Sequence, residues 1–390
     1  MHEPLKRRIA SARLSPRRWI AFSLCIFGAT TQSYAQMPMQ APSFEQEPYY
    51  TDVLLNRARF RVPAFLEDLE TRFEQAQQQP DFPPDELAHL TFLYAALLQN
   101  NWRLGTGAAP ELQPGFHLRL AGKRVREQFG KHSMPMAYVH LLRGQYTGRY
   151  VEAKRHYRRA IHAAKMSAGE HALGHLRVQW MAGAIVQQNY RVEPRQYLTT
   201  ALNGLTEYFP ANRLELASIR YRLGLLLLQK EPDEGVPLLQ AATEDYAASG
   251  HGWMPENLYA HMLLAQHYER TGSLDDSQFH IGQLSKHPPP EANAPPMLIW
   301  RARAPRRPRP LLHSETAALR FSVSAQGRVT DIRLIDDSNT AKISEHAISR
   351  LQRFYYRPAF RDGIAVATED MVMDFDYQSA LPLPDFLNPD

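Results

Sequence analysis

The sequence predicts an α+β protein of several domains, in which a long helical region precedes a small antiparallel sheet with one helix. Three features indicate this: near-continuous helical patterning over 50–287, a Pro- and Arg-rich segment over 288–312, and apolar/polar alternation over 313–380. A chain of 390 residues is long enough for two or three domains. We predict that residues 381–390 form a tail after the last domain.

The N-terminus has the composition of a secretory signal peptide. A basic region precedes a short apolar run, Trp19 to Ala29, and then Ser33-Tyr34-Ala35. This last triplet puts small residues at the two positions that a signal peptidase reads. The apolar run is shorter than the about 20 residues of a membrane-spanning helix. We therefore predict a signal peptide over 1–35, cleaved after Ala35, and a flexible lead-in over 36–49.

Removal of the signal peptide changes the charge of the chain. Residues 1–35 hold six Lys or Arg and one acidic residue, so the net charge falls from +5 to near zero. The pI of about 9.2 is therefore no sign of nucleic-acid binding. Cys25 is the only cysteine, so the mature chain has no disulfide, cysteine-ligated zinc or thiol catalysis.

The helical region contains small and aromatic residues at spacings that let paired helices pack closely. Residues 148–160 resemble the second half of a tetratricopeptide (TPR) repeat, and 264–284 resemble nearly a whole repeat. The matching positions are Gly148, Tyr150, Ala153, Tyr157 and Ala160 in the first run, and Tyr268, Gly272 and Ser277 in the second. We predict a TPR-like α-solenoid over 50–287. An irregular helical domain without true repeats is the alternative.

The segment 288–312 reads as an extended linker. Between 288 and 310 it holds eight prolines and five arginines, and proline stiffens a chain and removes hydrogen-bond donors. We predict a flexible hinge between two independently folded units. The arginines either belong to a solvated spacer or contact an anionic surface, such as lipid head groups or cell-wall polymer.

The last domain begins with two strands and a helix. Leu319, Phe321 and Val323 alternate with polar neighbours, Gly327 suits a tight turn, and Thr330, Ile332 and Leu334 continue the alternation. A helical stripe follows, formed by Ile343, Ala347, Leu351 and Phe354 or Tyr355. One helix on a small antiparallel sheet is the simplest packing of these elements.

An aromatic corner, a glycine hairpin and a final strand complete this domain. The corner is Tyr356-Arg357-Pro358-Ala359, the hairpin is Asp362-Gly363, and the last strand runs from Val366 to Tyr377. The order of these elements resembles the C-terminal domain of the TonB family. The family's motif positions fall here on Gly327, Tyr356, Pro358, Ala359 and Gly363.

The resemblance implies a periplasmic protein that binds other proteins. The C-terminal domain would bind an extended peptide of an outer-membrane partner, such as a TonB-dependent receptor, by β-augmentation. The last strand would supply the edge, with Val366, Met371, Val372, Met373, Phe375 and Tyr377 as binding residues. The TPR-like surface would bind a second partner, and contact with the membrane would be indirect or through the arginine-rich linker.

The sequence favours binding over catalysis. It contains no nucleophile elbow, P-loop, dinucleotide fingerprint or HExxH helix. His171 and His175 have helical metal-ligand spacing but lack a third ligand nearby, so we predict no metal and no cofactor. Two alternatives remain. The N-terminus could stay uncleaved and anchor a TonB-type energy transducer, or the chain could be an envelope-assembly or cell-wall-binding adaptor.

Overall fold

The computed structural model describes residues 63–104, 114–147, 149–190, 194–300, 315–335 and 341–377. The predicted signal peptide, the lead-in, Gly148, residues 301–312 of the linker and the tail lie outside these residues. Within the described residues, no helix has both the length and the apolar character that crossing a bilayer requires.

Eleven helices precede the sheet region in the described chain. They are α1 (Pro63–Gln78), α2 (Pro84–Leu104), α3 (Pro114–Phe129), α4 (Met134–Tyr146), α5 (Tyr150–Ala168), α6 (Leu173–Tyr190), α7 (Arg195–Tyr208), α8 (Arg213–Leu227), α9 (Pro232–Ala248), α10 (Pro255–Thr271) and α11 (Leu274–Gln283). Several ends have clear local causes. Pro232 and Pro255 lie in the first turns of their helices, and Gly272 ends α10 in the left-handed conformation at φ +85°.

The helices form successive hairpins. The main partners are α2 with α3, α4 with α5, α6 with α7, α8 with α9, and α10 with α11, and each hairpin also packs on the next. The first helices of the last four hairpins begin at Met134, Leu173, Arg213 and Pro255. Their spacing is about 40 residues, longer than the about 34 residues of a TPR repeat.

Glycines allow close approach within three of these hairpins. A Cβ atom on Gly144 of α4 would lie 2.4 Å from the Tyr157 ring of α5. Gly183 of α6 and Gly224 of α8 meet Leu198 and Leu239 of the following helix in the same way, at 2.9 and 2.6 Å. These three glycines recur at nearly the hairpin spacing.

The C-terminal part is a small antiparallel sheet region with one helix, as predicted. Its elements are β1 (Met297–Trp300), β2 (Glu315–Val323), β3 (Val329–Leu334), α12 (Ala341–Leu351), β4 (Tyr355–Arg357), β5 (Ala359–Arg361), β6 (Ile364–Val366) and β7 (Thr368–Tyr377). From β2 onward their order is the one that the sequence predicted. Helix α12 packs on β2 and β3, and Ile343, Ala347, Leu351 and Phe354 are all buried in that core.

The main sheet has the order β3-β2-β7, with both pairs antiparallel. Two bulges lie opposite Phe321 and Ser322 of β2, one in each neighbouring strand. The bulge in β3 is at Asp331, with φ 51°, and the bulge in β7 is at Asp370, with φ 58°. The first bulge corrects one prediction: Thr330 is exposed, while Val329, Ile332 and Leu334 pack on the core, because an extra residue shifts the alternation.

The segment 294–300 differs from the predicted extended linker. Strand β1 pairs with β4, and the backbones of Ala294 and Phe360 exchange two hydrogen bonds of 3.0 and 2.8 Å. The physical reason is local composition, because Met297, Leu298 and Ile299 interrupt the proline run with side chains that gain by burial.

This strand joins the two predicted units through one core. Met297, Ile299 and the buried Tyr355 pack with Leu258 and Met262 of α10. In the described chain the sheet region therefore starts before the predicted boundary at residue 313 and contacts the last helical hairpin directly. Such a contact does not fit a flexible hinge over the whole of 288–312.

Candidate functional site

Strand β7 lies at one edge of the main sheet. It pairs with β2 over almost its whole length, from Glu315 opposite Tyr377 to Val323 opposite Thr368. Its other side has no strand beside it among the described residues. The register is regular from Met371 to Tyr377, since the bulge lies before Met371.

The backbone pattern decides which groups of β7 face outward. The amide of Ile335 donates to the carbonyl of Ala318 at 2.9 Å, so Ala318 directs its backbone groups toward β3. Neighbouring residues of a strand direct their backbone groups to opposite sides. The amides and carbonyls of Ala317, Leu319 and Phe321 therefore point toward β7. Their partners Phe375, Met373 and Met371 are bonded inward. The amides and carbonyls of Val372, Asp374 and Asp376 consequently point to the open edge.

The side chains of β7 alternate as the sequence predicted. Phe375 is buried, and Met371 and Met373 are partly buried against the same core. Val372 is 56% exposed, and Asp374 is exposed. The Met and Phe side chains thus hold β7 on the core while its outward backbone groups stay accessible. The side chain of Tyr377, also predicted to bind, lies outside the described part of the structure.

The exposed side of β7 is acidic. Glu369, Asp370 and Asp374 are exposed there, and among the described residues only Arg320 forms an ion pair with any of them, at 3.6 Å from Asp370. Both members of that pair are largely in solvent, so it adds little stability. The edge therefore presents backbone hydrogen-bonding groups beside negative charge.

One predicted binding residue lies elsewhere. Val366 belongs to β6, where it pairs with Ala359, and β7 begins at Thr368. The predicted strand from Val366 to Tyr377 is therefore two strands. The break follows from pairing, because β6 returns along β5 through a two-residue hairpin at Asp362 and Gly363, whose φ values of 51° and 76° suit a type I′ turn.

The turn at Gly327 is fixed against the aromatic corner. Gly327 has φ +79°, and its carbonyl accepts a 2.9 Å hydrogen bond from the amide of Tyr356. A Cβ atom at this position would lie 1.9 Å from the Tyr356 carbonyl oxygen. The Arg328 guanidinium stacks over the Tyr355 ring at 4.3 Å. Sequence reasoning predicted the turn but missed this close approach.

The remaining corner residues are structural. Tyr356, Pro358 and Ala359 are all buried; Tyr356 pairs with Leu298 of β1, and Ala359 pairs with Val366 of β6. Pro358 lies between β4 and β5, where no strand hydrogen bond depends on the amide that proline lacks. These residues hold the sheet region together and do not reach the open edge of β7.

The predicted small positions of the helical region lie in helix contacts. Ala153, Tyr157 and Ala160 are fully buried in α5, and Ser277 is buried in α11. Tyr150 and Tyr268 are partly buried at the same hairpins. Residues that matched the repeat pattern therefore serve packing.

An apolar pocket lies where the helices meet β1. Its volume is about 220 Å³, and its walls are Tyr221 of α8, Pro255, Glu256 and Tyr259 of α10, and residues 297–299 of β1. The rings of Tyr221 and Tyr259 meet edge to face at 6.3 Å. Sequence reasoning missed this pocket, because it depends on β1.

The described residues form no group of three His, Cys, Asp or Glu side chains suited to a metal ion. His171 precedes α6 and stacks near Tyr208, whereas His175 is buried with Nδ1 2.5 Å from the Glu170 carbonyl oxygen. The i,i+4 spacing of these two histidines therefore does not place them on one helix.

Comparisons with known proteins give little on which to base a function. No family model and no curated protein matches the chain. Among solved structures, the crystal structure of BtubC (BKLC) from P. vanneervenii is similar to 55% of this chain and 86% of its own, at 15% identity and a TM-score of 0.44. Similarity at that level carries no argument about fold or function.

Proposed function

We propose that this chain is a non-enzymatic binding protein of the cell envelope whose C-terminal sheet binds an extended segment of a partner protein. The single observation that carries the proposal is the open edge of β7. The outward backbone groups of Val372, Asp374 and Asp376 lie in regular register, which is what an added strand requires.

The opposite edge, β3, is less suited to this role. It has six residues against ten in β7, and its bulge at Asp331 lies in the middle of the strand, whereas the bulge at Asp370 lies near the start of β7. Its first end is covered, because Arg328 forms a bridge with Tyr355. Short and bulged edges discourage strand addition, so an incoming peptide pairs with β7.

The charge of β7 sets a preference for the partner. Glu369, Asp370 and Asp374 repel a second acidic strand, which disfavours pairing between β7 edges of two copies. A partner segment with Lys or Arg opposite these residues is instead attracted to β7. We infer an extended, basic peptide with apolar residues between its charges.

The identity of the partner rests on resemblance. The order of elements from β2 to β7 follows that of the TonB-like C-terminal domain, which implies an outer-membrane receptor as partner and a periplasmic location. The helical region, proposed to be TPR-like, would bind a second protein through its stacked hairpins. The chain would then act as an adaptor in envelope transport.

The proposal is tested with a synthetic peptide of alternating Lys and Val. We expect it to bind the full chain, and an otherwise identical peptide with Glu in place of Lys to bind far more weakly. A Lys/Val peptide with N-methyl groups on alternate amides keeps its side chains but cannot form the ladder, and it should not bind. Equal binding of the N-methylated peptide would contradict β-augmentation.

A further inference from the structure

A basic groove lies among α3, α4 and α5, far along the chain from β7. The cavity measures about 690 Å³. Its positive lining comes from all three helices and the turn after α3: Arg119, Lys123, Arg126, Lys131, Arg143 and Arg159. The only carboxylate in the lining is Glu127.

These positive charges are poorly compensated within the described chain. Lys123 lies 3.9 Å from Glu127, with both side chains largely exposed. No described carboxylate lies within salt-bridge distance of Arg126, Arg143 or Arg159. Arg159 also lowers the pKa of Arg143, after the larger effect of burial. Repulsion between like charges this close destabilises the fold, and a bound anion would relieve that repulsion.

The groove leaves space for the guanidinium group of Arg143 in its buried part. Arg143 lies against Gly122 of α3, where an added Cβ would come within 1.9 Å of its Nη2 atom. A glycine at this position therefore makes room for the Arg143 head group. Behind it, His140 and His156 have inaccessible Nδ1 atoms without a hydrogen-bond partner, and their rings are 5.7 Å apart.

We propose that this groove binds a compact anion carrying two or more phosphate groups. Arginine forks pair with phosphate oxygens in a bidentate way, and several of them around one cavity suit a multivalent anion. Met136 is the only apolar side chain in the lining, and no Phe, Tyr or Trp joins it, so contacts to phosphate outweigh base stacking here. The anion is therefore recognised by its phosphates, carried either by a soluble molecule or by a lipid head group.

The first test measures the binding of tripolyphosphate to the full chain by calorimetry. Arg126→Gln and Arg159→Gln remove exposed charges from two walls, and each should weaken binding about tenfold, since a charge-assisted hydrogen bond is lost. Arg158→Gln is the matched control, because it removes an exposed charge of α5 outside the lining. Equal affinity of the groove variants and the control would overturn the proposal.

A second arm identifies the source of the phosphate. Sedimentation with phosphatidylcholine vesicles is compared with and without added cardiolipin, a lipid whose head group carries two phosphates. Binding to the acidic vesicles that is lost in the Arg126→Gln/Arg159→Gln double variant assigns a lipid head group, whereas binding to tripolyphosphate alone assigns a soluble ligand. If neither probe binds more tightly to the native chain than to the double variant, the proposal fails.

Histidine titration supplies a local readout that a purely structural groove would not show. Burial, Arg143, His156 and Arg159 lower the pKa of His140 to about 3. The charged groups that line its surroundings are Arg143 on its own helix, Arg159 and His156 on α5, and Arg119, Lys123, Arg126 and Glu127 on α3. Bound tripolyphosphate should raise the pKa of His140 in an NMR titration, and an unchanged pKa at saturation would contradict binding in this groove.

Discussion

Individual residues of the C-terminal unit are constrained by contacts distant in sequence. Gly327 was predicted from its place in a turn, and its positive φ confirms that role. Its contact with the Tyr356 carbonyl oxygen could not be predicted, because it depends on where the corner folds back. The same holds for the groove around Arg143, whose members come from three helices and form no local pattern.

Replacement of Gly327 should be far more costly than replacement of Gly363. Both have positive φ, but a Cβ on Gly363 meets nothing within 4 Å, whereas one on Gly327 clashes with backbone. Gly327→Ala should cost at least about 2 kcal/mol of unfolding free energy, against about 1 kcal/mol for Gly363→Ala. Urea denaturation of both variants measures this, and equal losses would contradict the close approach.

A buried histidine pair makes the stability of the α10–α11 hairpin depend on pH. His261 and His280 face each other with their Nδ1 atoms 2.9 Å apart, near Tyr268, Asp276 and His287. Burial is the largest cause that lowers their pKa values from 6.5, to about 3 for His261 and about 4 for His280. Both are therefore neutral in the folded chain at pH 7.

The sign of the pH effect follows from proton uptake. Below about pH 6.5 the unfolded chain binds protons that the folded pair does not bind, so stability is present above that pH and is lost as the pH falls toward 4. We expect a loss of roughly 2–4 kcal/mol between pH 7.5 and 5. His261→Phe/His280→Leu should flatten the dependence of Tm on pH, and an unchanged slope would exclude the pair as its source.

At the scale of elements, the sequence predicted what short-range patterns determine. The stripe of α12, the hairpin at Gly363 and the alternation of β7 were all predictable, because each depends on neighbours a few residues away. Strand β1 was missed, since three apolar residues among prolines look like a linker until β4 is placed beside them. The bulge at Asp331 was missed for a related reason, because it depends on the register against β2.

The hairpin of α4 and α5 leaves no room for a larger side chain at its contact. Ala153 is fully buried there, while Val151 in the same helix is 66% exposed. Ala153→Phe should therefore destabilise the chain by roughly 1–3 kcal/mol through overpacking. Val151→Phe is the matched control and should change Tm little. Similar melting temperatures for both variants would contradict close packing of α4 and α5 at Ala153.

At the scale of the whole molecule, the helical region and the sheet share one core through β1 and Tyr355. The sequence predicted two classes of structure in the right order but not their contact. That contact depends on apolar surfaces from α10, β1 and β4 that are far apart in the chain. The partner of β7 cannot be deduced in the same way, since an open edge specifies a backbone and a charge preference but no particular protein.

The shared core predicts how the chain responds to proteolysis. Trypsin should cut first among Arg301 to Arg309, as the composition of the linker predicts. The two products should nevertheless elute together in size-exclusion chromatography, because β1 stays paired with β4 and Tyr355 stays buried against α10. Separate elution under native conditions would show that the sheet region is independent of the helices.

The most direct test of the account is binding of the Lys/Val peptide to Val372→Pro. This change removes an amide that points to the open edge and leaves the ladder between β7 and β2 intact. We expect the variant to stay folded by circular dichroism and to bind at least about tenfold more weakly. Asp374→Asn keeps its backbone amide and should lose much less affinity. A folded Val372→Pro chain that binds the peptide at full strength would contradict β-augmentation at β7.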